Sequence, residues 1–145
     1  MREIIMAFQG EMALKGLNRG TFEAKMTKAV RTRLADLGEF KLRTAQSTLY
    51  IQPLDEDIDM DEAFRRVSKV FGIARLSRAA VCEKDFTAIC QTAEDYLGQT
   101  LRGIKTFKVE AKRSDKTFPM KSPELCRELG AFLLSKHPHL RVDVH

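Results

Sequence analysis

The feature that most constrains this chain is a run of apolar residues at helical spacing set between β-rich stretches. From Thr21 onward Phe22, Met26, Ala29, Val30, Leu34 and Leu37 recur on one arc, while Lys25, Lys28 and Arg31 occupy the opposite arc and Gly38 ends the run. The spacing predicts an amphipathic helix with a basic outer face. Arg33 falls within the apolar arc, where only its long stem can be accommodated by snorkelling. Before this helix, residues 2–8 alternate loosely and read as a strand, and residues 9–20, with Gly10, Gly16, Asn18 and Gly20, read as a loop. After it, residues 40–44 and 48–52 predict two short strands joined by a tight turn, with Pro53 closing the second. Asp59 followed by Glu62 resembles a capping box that opens a helix holding Ala63, Phe64, Val67 and Val70, and Gly72 stops it. Residues 73–81 return to a strand. The order is β-α-β-β-α-β, that of ferredoxin-like domains.

The remainder follows a different plan. A helix over about 86–101 (Ile89, Ala93, Leu97, Leu101), a strand at 106–112, a helix at 122–136 and a strand at 140–144 give α-β-α-β. The expectation is therefore an α+β protein in which a ferredoxin-like domain, residues 1–80, packs on an α/β domain, residues 81–145. A terminal strand ending at His145 needs a neighbour and a cover, so the second domain is expected to be C-terminally incomplete.

Composition excludes several classes. With 43% hydrophobic and 31% charged residues and no linker-like tract, the 145 residues read as packed rather than disordered. No stretch approaches the roughly 20 apolar residues of a membrane span, and residues 1–8 are too short and acidic for a signal peptide, so a cytoplasmic location without a membrane partner is expected. Cys82, Cys90 and Cys126 form an odd set without a Cys-x-x-Cys pair, and are read as small buried apolar residues. His137 and His139, with the distant His145, could be taken for metal ligands, but no cysteine stands beside them and no metal site is expected. Acids between Asp55 and Glu62 fit a solvated turn and a helix start.

Charge is segregated. Lys15, Arg19, Lys25, Lys28, Arg31 and Arg33 face one acid, Glu23, and Lys105, Lys108, Lys112, Arg113, Lys116 and Lys121 face two, Glu110 and Asp115. This distribution suits a polyanion. In the second cluster a strand ends in Lys112-Arg113, a loop holds Lys116, Phe118 and Lys121, and Ser122-Pro123-Glu124 opens a helix with Ser122 expected at the N-cap. A helix start presents free N–H groups and partial positive charge, and lysines beside it would complete a pocket for a phosphate. The plain alternative is that these cations only solvate a loop.

Two motifs weigh against that alternative. Gly10-Glu11-Met12-Ala13-Leu14-Lys15-Gly16-Leu17-Asn18-Arg19-Gly20-Thr21-Phe22-Glu23 resembles the Gly-Glu-x-x-Leu-Lys-Gly-x-Asn-Arg-x-x-Phe-Glu signature of the tRNA 4-thiouridine synthetase family. The Phe107-Lys108-Val109, Lys112-Arg113 and Lys121-Ser122-Pro123-Glu124 elements resemble the THUMP domain of the same family, and Val142-Asp143-Val144-His145 continues the likeness. One departure is Phe8-Gln9 where family members tend to carry an aromatic directly before Gly-Glu.

The resemblance implies that the two domains together hold the acceptor end of tRNA. It also implies a further ATP-pyrophosphatase domain, absent from these residues, that uses ATP and magnesium to adenylate a uridine and then takes sulfur from a persulfide, with a cysteine desulfurase as donor. Its Ser-Gly-Gly-x-Asp-Ser loop occurs nowhere here, so these residues are expected to be non-catalytic. Lys112, Arg113, Lys116 and Lys121 are the expected phosphate contacts, and Phe118 either stacks on an unpaired base or is buried. Lys15, Asn18 and Arg19 either touch RNA or fix their loop against the neighbouring domain. A homodimer and a role in thiamine biosynthesis stay open at this point. Two other readings are a THUMP module of another RNA-modifying enzyme, such as a methyltransferase, deaminase or pseudouridine synthase, and a small acyl phosphatase using Arg19 and Asn18.

Overall fold

The structure, a computed structural model, describes residues 2–10 and 19–143, the side chain of Arg19 excepted. The chain forms two compact units, Met1–Val81 and Cys82–His145.

In the first unit, β1 (Arg2–Gln9), α1 (Arg19–Leu34), β2 (Phe40–Ala45), β3 (Thr48–Pro53), α2 (Met60–Val67) and β4 (Ile73–Val81) follow the expected order. The four strands form one sheet in the order β2-β3-β1-β4, antiparallel throughout. The helix-forming pattern places Met26, Val30 and Leu34 of α1 four residues apart on one stripe, and all three are buried. They meet Ile5, Ala7, Leu49 and Ile51 from the sheet and Ala63 and Val67 from α2 in one core. Lys25, Lys28 and Arg31 lie exposed on the opposite side of α1. Arg33 is exposed too, and its carbonyl accepts a hydrogen bond from Arg66 Nη1 at 3.0 Å.

The β2–β3 turn is two residues long, Gln46 (φ 49°) and Ser47 (φ 64°). Left-handed backbone at both positions matches the twist of the paired strands, although neither residue is the usual Asn or Gly. Asp59 caps α2, its Oδ1 accepting from the Glu62 N–H at 3.1 Å. The reciprocal half of the capping box is replaced: the Glu62 carboxylate accepts from Arg65 and Arg66 instead. Those arginines, Arg65 first, lower the Glu62 pKa to about 2. Gly72, with φ +98°, lies where a Cβ would collide with the Phe22 ring at 2.4 Å. Only glycine suits both the backbone and the space.

In the second unit, α3 (Phe86–Arg102) is capped by Asp85 through the Ala88 N–H, and β5 (Thr106–Phe107), α4 (Ser122–Lys136) and β6 (Arg141–Val142) follow. The two strands pair in parallel, Thr106 with Arg141 and Phe107 with Val142. Both are shorter than their sequences suggest, since residues 108–112 belong to no strand and Leu140 precedes one. Alternation alone cannot sustain a strand: past Phe107 no ladder partner is present among the described residues. Leu101, Leu133 and Leu140 form the buried core, with Phe107, Val109 and Leu129 packed on it.

Buried His137 makes a 2.7 Å hydrogen bond to Glu94, and His139 one of 3.0 Å to the Leu101 carbonyl. These contacts join α3 to the segment after α4, a structural use of both rings. Cys82 is exposed, contrary to its expected burial, Cys126 is half-buried, and only Cys90 lies in the interior. Cys82 directly follows the last residue of β4, where neither unit's apolar pattern requires it.

Candidate nucleic-acid interface

The basic segment between β5 and α4 is a built loop rather than a loose one. Asp115 organises it: Oδ1 accepts from the Thr117 N–H at 3.0 Å and from the Thr117 hydroxyl, and Oδ2 accepts from Lys84 Nζ at 3.0 Å. Donation by Thr117, and then by Lys84, holds the Asp115 carboxyl well below the usual carboxylate range. The Phe118 N–H donates to the Asp115 carbonyl, and Arg113 Nη1 donates to the Phe118 carbonyl at 3.1 Å. The chain from 113 to 118 is thus closed on itself. A side-chain-organised turn of this kind fixes where the neighbouring cations stand.

Lys112, Lys116 and Lys121 are exposed, while Arg113 and Phe118 are half-buried. Lys116 and Lys121 make no ion pair among the described residues, and Asp115, next to Lys116 in the chain, is paired with Lys84. The sequence alone does not reveal Lys84, which lies 31 residues from its partner. Its only signal is a position just before the Asp85 cap.

The start of α4 differs from expectation in an informative way. The Leu125 N–H bonds to the Lys121 carbonyl at 2.9 Å, so Lys121 is the N-cap, Ser122 is the first helical residue and Pro123 the second. A lysine ammonium cannot accept a hydrogen bond. Among the described residues no side chain caps this helix, and its first-turn N–H groups at Ser122 and Glu124 suit an external acceptor. Glu124 is the one acid in the first turn and lies exposed.

Of the first motif, Lys15 and Asn18 lie outside the described residues, as does the Arg19 side chain; the Arg19 backbone begins α1. Gln9, beside that motif, is buried, and its side-chain amide has no hydrogen-bond partner among the described residues. Four of the acids from Asp55 to Glu62 serve structure, as an Asp55 turn, the Asp59 cap, an Asp61–Arg78 pair and the Glu62 arginine pairs. Among the described residues no group of three or more histidines, cysteines and acids is placed to hold a metal ion, and no helix is long and apolar enough to cross a membrane.

Residues 4–77 match the family model of the ThiI ferredoxin-like domain, and residues 83–145 match that of the THUMP domain. The chain belongs to the ThiI family. Among curated relatives of this ThiI-family chain, it is 44% identical over 147 residues to a probable tRNA sulfurtransferase of Alkaliphilus metalliredigens and 41% identical over 146 residues to one of Acetivibrio thermocellus. These alignments cover 100% and 99% of this chain but 37% of each relative, so the chain spans little more than a third of their length. A crystal structure of a 4-thiouridine synthetase–RNA complex with bound ATP superposes with a TM-score of 0.80 at 27% identity, covering 100% of this chain and 36% of that one. The fold is also that of PH1313 from Pyrococcus horikoshii, with a TM-score of 0.79 at 23% identity over 99% of this chain and 47% of that one.

Proposed function

We propose that this chain is the tRNA-holding region of a tRNA sulfurtransferase that makes 4-thiouridine, and that it grips the acceptor end of the tRNA. The observation that carries the reading is the closed 113–118 loop, which fixes the backbone at exposed Lys116, followed in the chain by exposed Lys121 at the N-cap of α4. Phosphate oxygens would accept from Lys112, Lys116 and Lys121 and from the first-turn N–H groups of α4, and Arg113 both holds the loop and keeps further guanidinium donors for RNA. Phe118 lies within the same loop, where it supplies a ring for an unpaired base. Lys15, Asn18 and Arg19 belong to the proposed RNA-contacting set on sequence grounds.

In this reading these residues bind and position tRNA, and the chemistry belongs to the part of the relatives that the chain does not span. ATP, magnesium and a cysteine desulfurase as sulfur donor are assigned to that part, and a cytoplasmic location follows from the tRNA substrate. The ferredoxin-like match at residues 4–77 favours thiolation over methylation, deamination or pseudouridine formation by another THUMP enzyme.

The test is a titration of whole tRNA against the 145-residue chain and its Lys116→Ala/Lys121→Ala variant. Weakening of about tenfold or more in the variant is expected, since each phosphate contact releases counterions. Equal affinity in the two would contradict the reading.

A further inference from the structure

The sheet of the first unit has a second face, turned away from α1 and α2. Side chains alternate along a strand, so the helix-facing set of Ile5, Ala7, Leu49 and Ile51 puts Arg2 and Phe8 of β1, Lys41 and Arg43 of β2, Tyr50 of β3 and Arg75 of β4 on the opposite face. Among the residues of β1 to β4, the charge on this face has one sign. Arg2, Lys41, Arg43 and Arg75 are its cations among neutral neighbours, and the only acid within β1 to β4, Glu3, shares the helix-facing parity of Ile5 and is held by Arg78 at 2.8 and 3.0 Å.

The two rings lie on the two inner strands. Phe8 is opposite Thr48 and Tyr50 opposite Met6, so the rings are diagonal neighbours, a spacing of about 7–8 Å. Each carries an arginine from the adjoining outer strand. The Arg75 guanidinium carbon stands 4.1 Å from the Phe8 ring centre, and that of Arg43 stands 4.4 Å from the Tyr50 ring centre. Arg2, Lys41, Arg43 and Tyr50 also line a cavity of about 250 Å³. Planar groups with cations around them and no carboxylate among them match a polyanion whose bases are free to stack. A duplex keeps its base faces covered, and an acidic protein surface would leave the rings unused.

We propose that this sheet face binds an unpaired RNA strand, with bases stacking on the Phe8–Arg75 and Tyr50–Arg43 pairs and phosphates meeting Arg2 and Lys41. Only the choice of RNA over DNA rests on the tRNA-holding reading. The site is built from residues of the first unit alone, and none of them belongs to the loop between β5 and α4.

The test uses the full 145-residue chain. It has no tryptophan and two tyrosines, Tyr50 and Tyr96, so Tyr96→Phe leaves Tyr50 as the only strong emitter. An unstructured RNA strand of about ten nucleotides is expected to quench Tyr50 emission, and a blunt RNA duplex is not. Tyr50→Leu and the Lys41→Gln/Arg43→Gln variant should each weaken strand binding about tenfold while unfolding at the same temperature as the parent, and Tyr50→Phe should retain it. Absence of strand binding, binding without quenching, or unchanged affinity in both variants would overturn the proposal. A chain that binds whole tRNA with no Tyr50 response sinks this inference alone, whereas one that binds the strand but not tRNA sinks the tRNA-holding reading alone.

Discussion

The two units of this chain make stability in different ways. Among the described residues, the first buries ten core residues between two helices and a four-stranded sheet, and the second buries three around a two-stranded one. Polar ties follow the same division. In the first unit, arginines clamp elements that are already packed: Arg78 joins β4 to Glu3 of β1 and to Asp61 of α2, and Arg66 joins α2 to Asp36 just beyond α1. In the second, buried His137 bonded to Glu94 and the Asp115 turn do work that apolar contact does elsewhere. A framework with its own core can offer a rigid face, whereas a small core leaves a loop to be ordered by hydrogen bonds.

The largest expected effect tests that contrast. Leu34→Ala removes a buried side chain from the larger core and should cost the first unit about 2–5 kcal/mol. Leu133→Ala should instead unfold the second unit at lower denaturant while the first persists. Urea titrations read by Tyr50 in one unit and Tyr96 in the other would resolve the two transitions, and a single shared transition in both variants would break the comparison. Next in size, Arg78→Ala leaves half-buried Glu3 without its two-pronged partner. It should cost about 1–2 kcal/mol in the same titration, a figure reduced because the guanidinium is partly exposed to solvent.

A smaller effect concerns acid. The Glu62 pKa lies at about 2 against an ordinary 4.5, and Asp115 is also lowered, so each contributes stability that is present above the ordinary carboxylate range and lost as pH falls through its folded value. For Glu62 the window runs from about 4.5 down to about 2. Thermal melts across that range should show a steeper loss in the parent than in Glu62→Gln, and identical slopes would argue against the arginine pairing.

Much of the first unit was legible in the sequence because its signals are local. The spacing of Met26, Val30 and Leu34 specifies which side of α1 is buried, Ala45 to Thr48 admits only a tight turn, and Asp59 announces the α2 cap. What escaped was set by distant partners. Residues 108–112 have a strand's alternation but no neighbour to pair with, Ser122 yields the cap position to Lys121, and Cys82 is exposed. For the candidate loop, the motif pointed to Lys112, Arg113, Lys116, Phe118 and Lys121, but not to the frame of Asp115, Thr117 and Lys84 that holds it. The aromatic–arginine pairs on the sheet face away from α1 and α2 are cross-strand contacts, visible only once the register is known.

The central claim is that the loop between β5 and α4 neutralises phosphates, and the salt dependence of tRNA binding measures this directly. Plotted as log affinity against log salt concentration, the slope for Lys116→Ala/Lys121→Ala should be shallower than the parent's by roughly 1.4–1.8, about 0.7–0.9 for each lost contact. A slope identical to the parent's would show that these lysines meet no phosphate and would contradict the account.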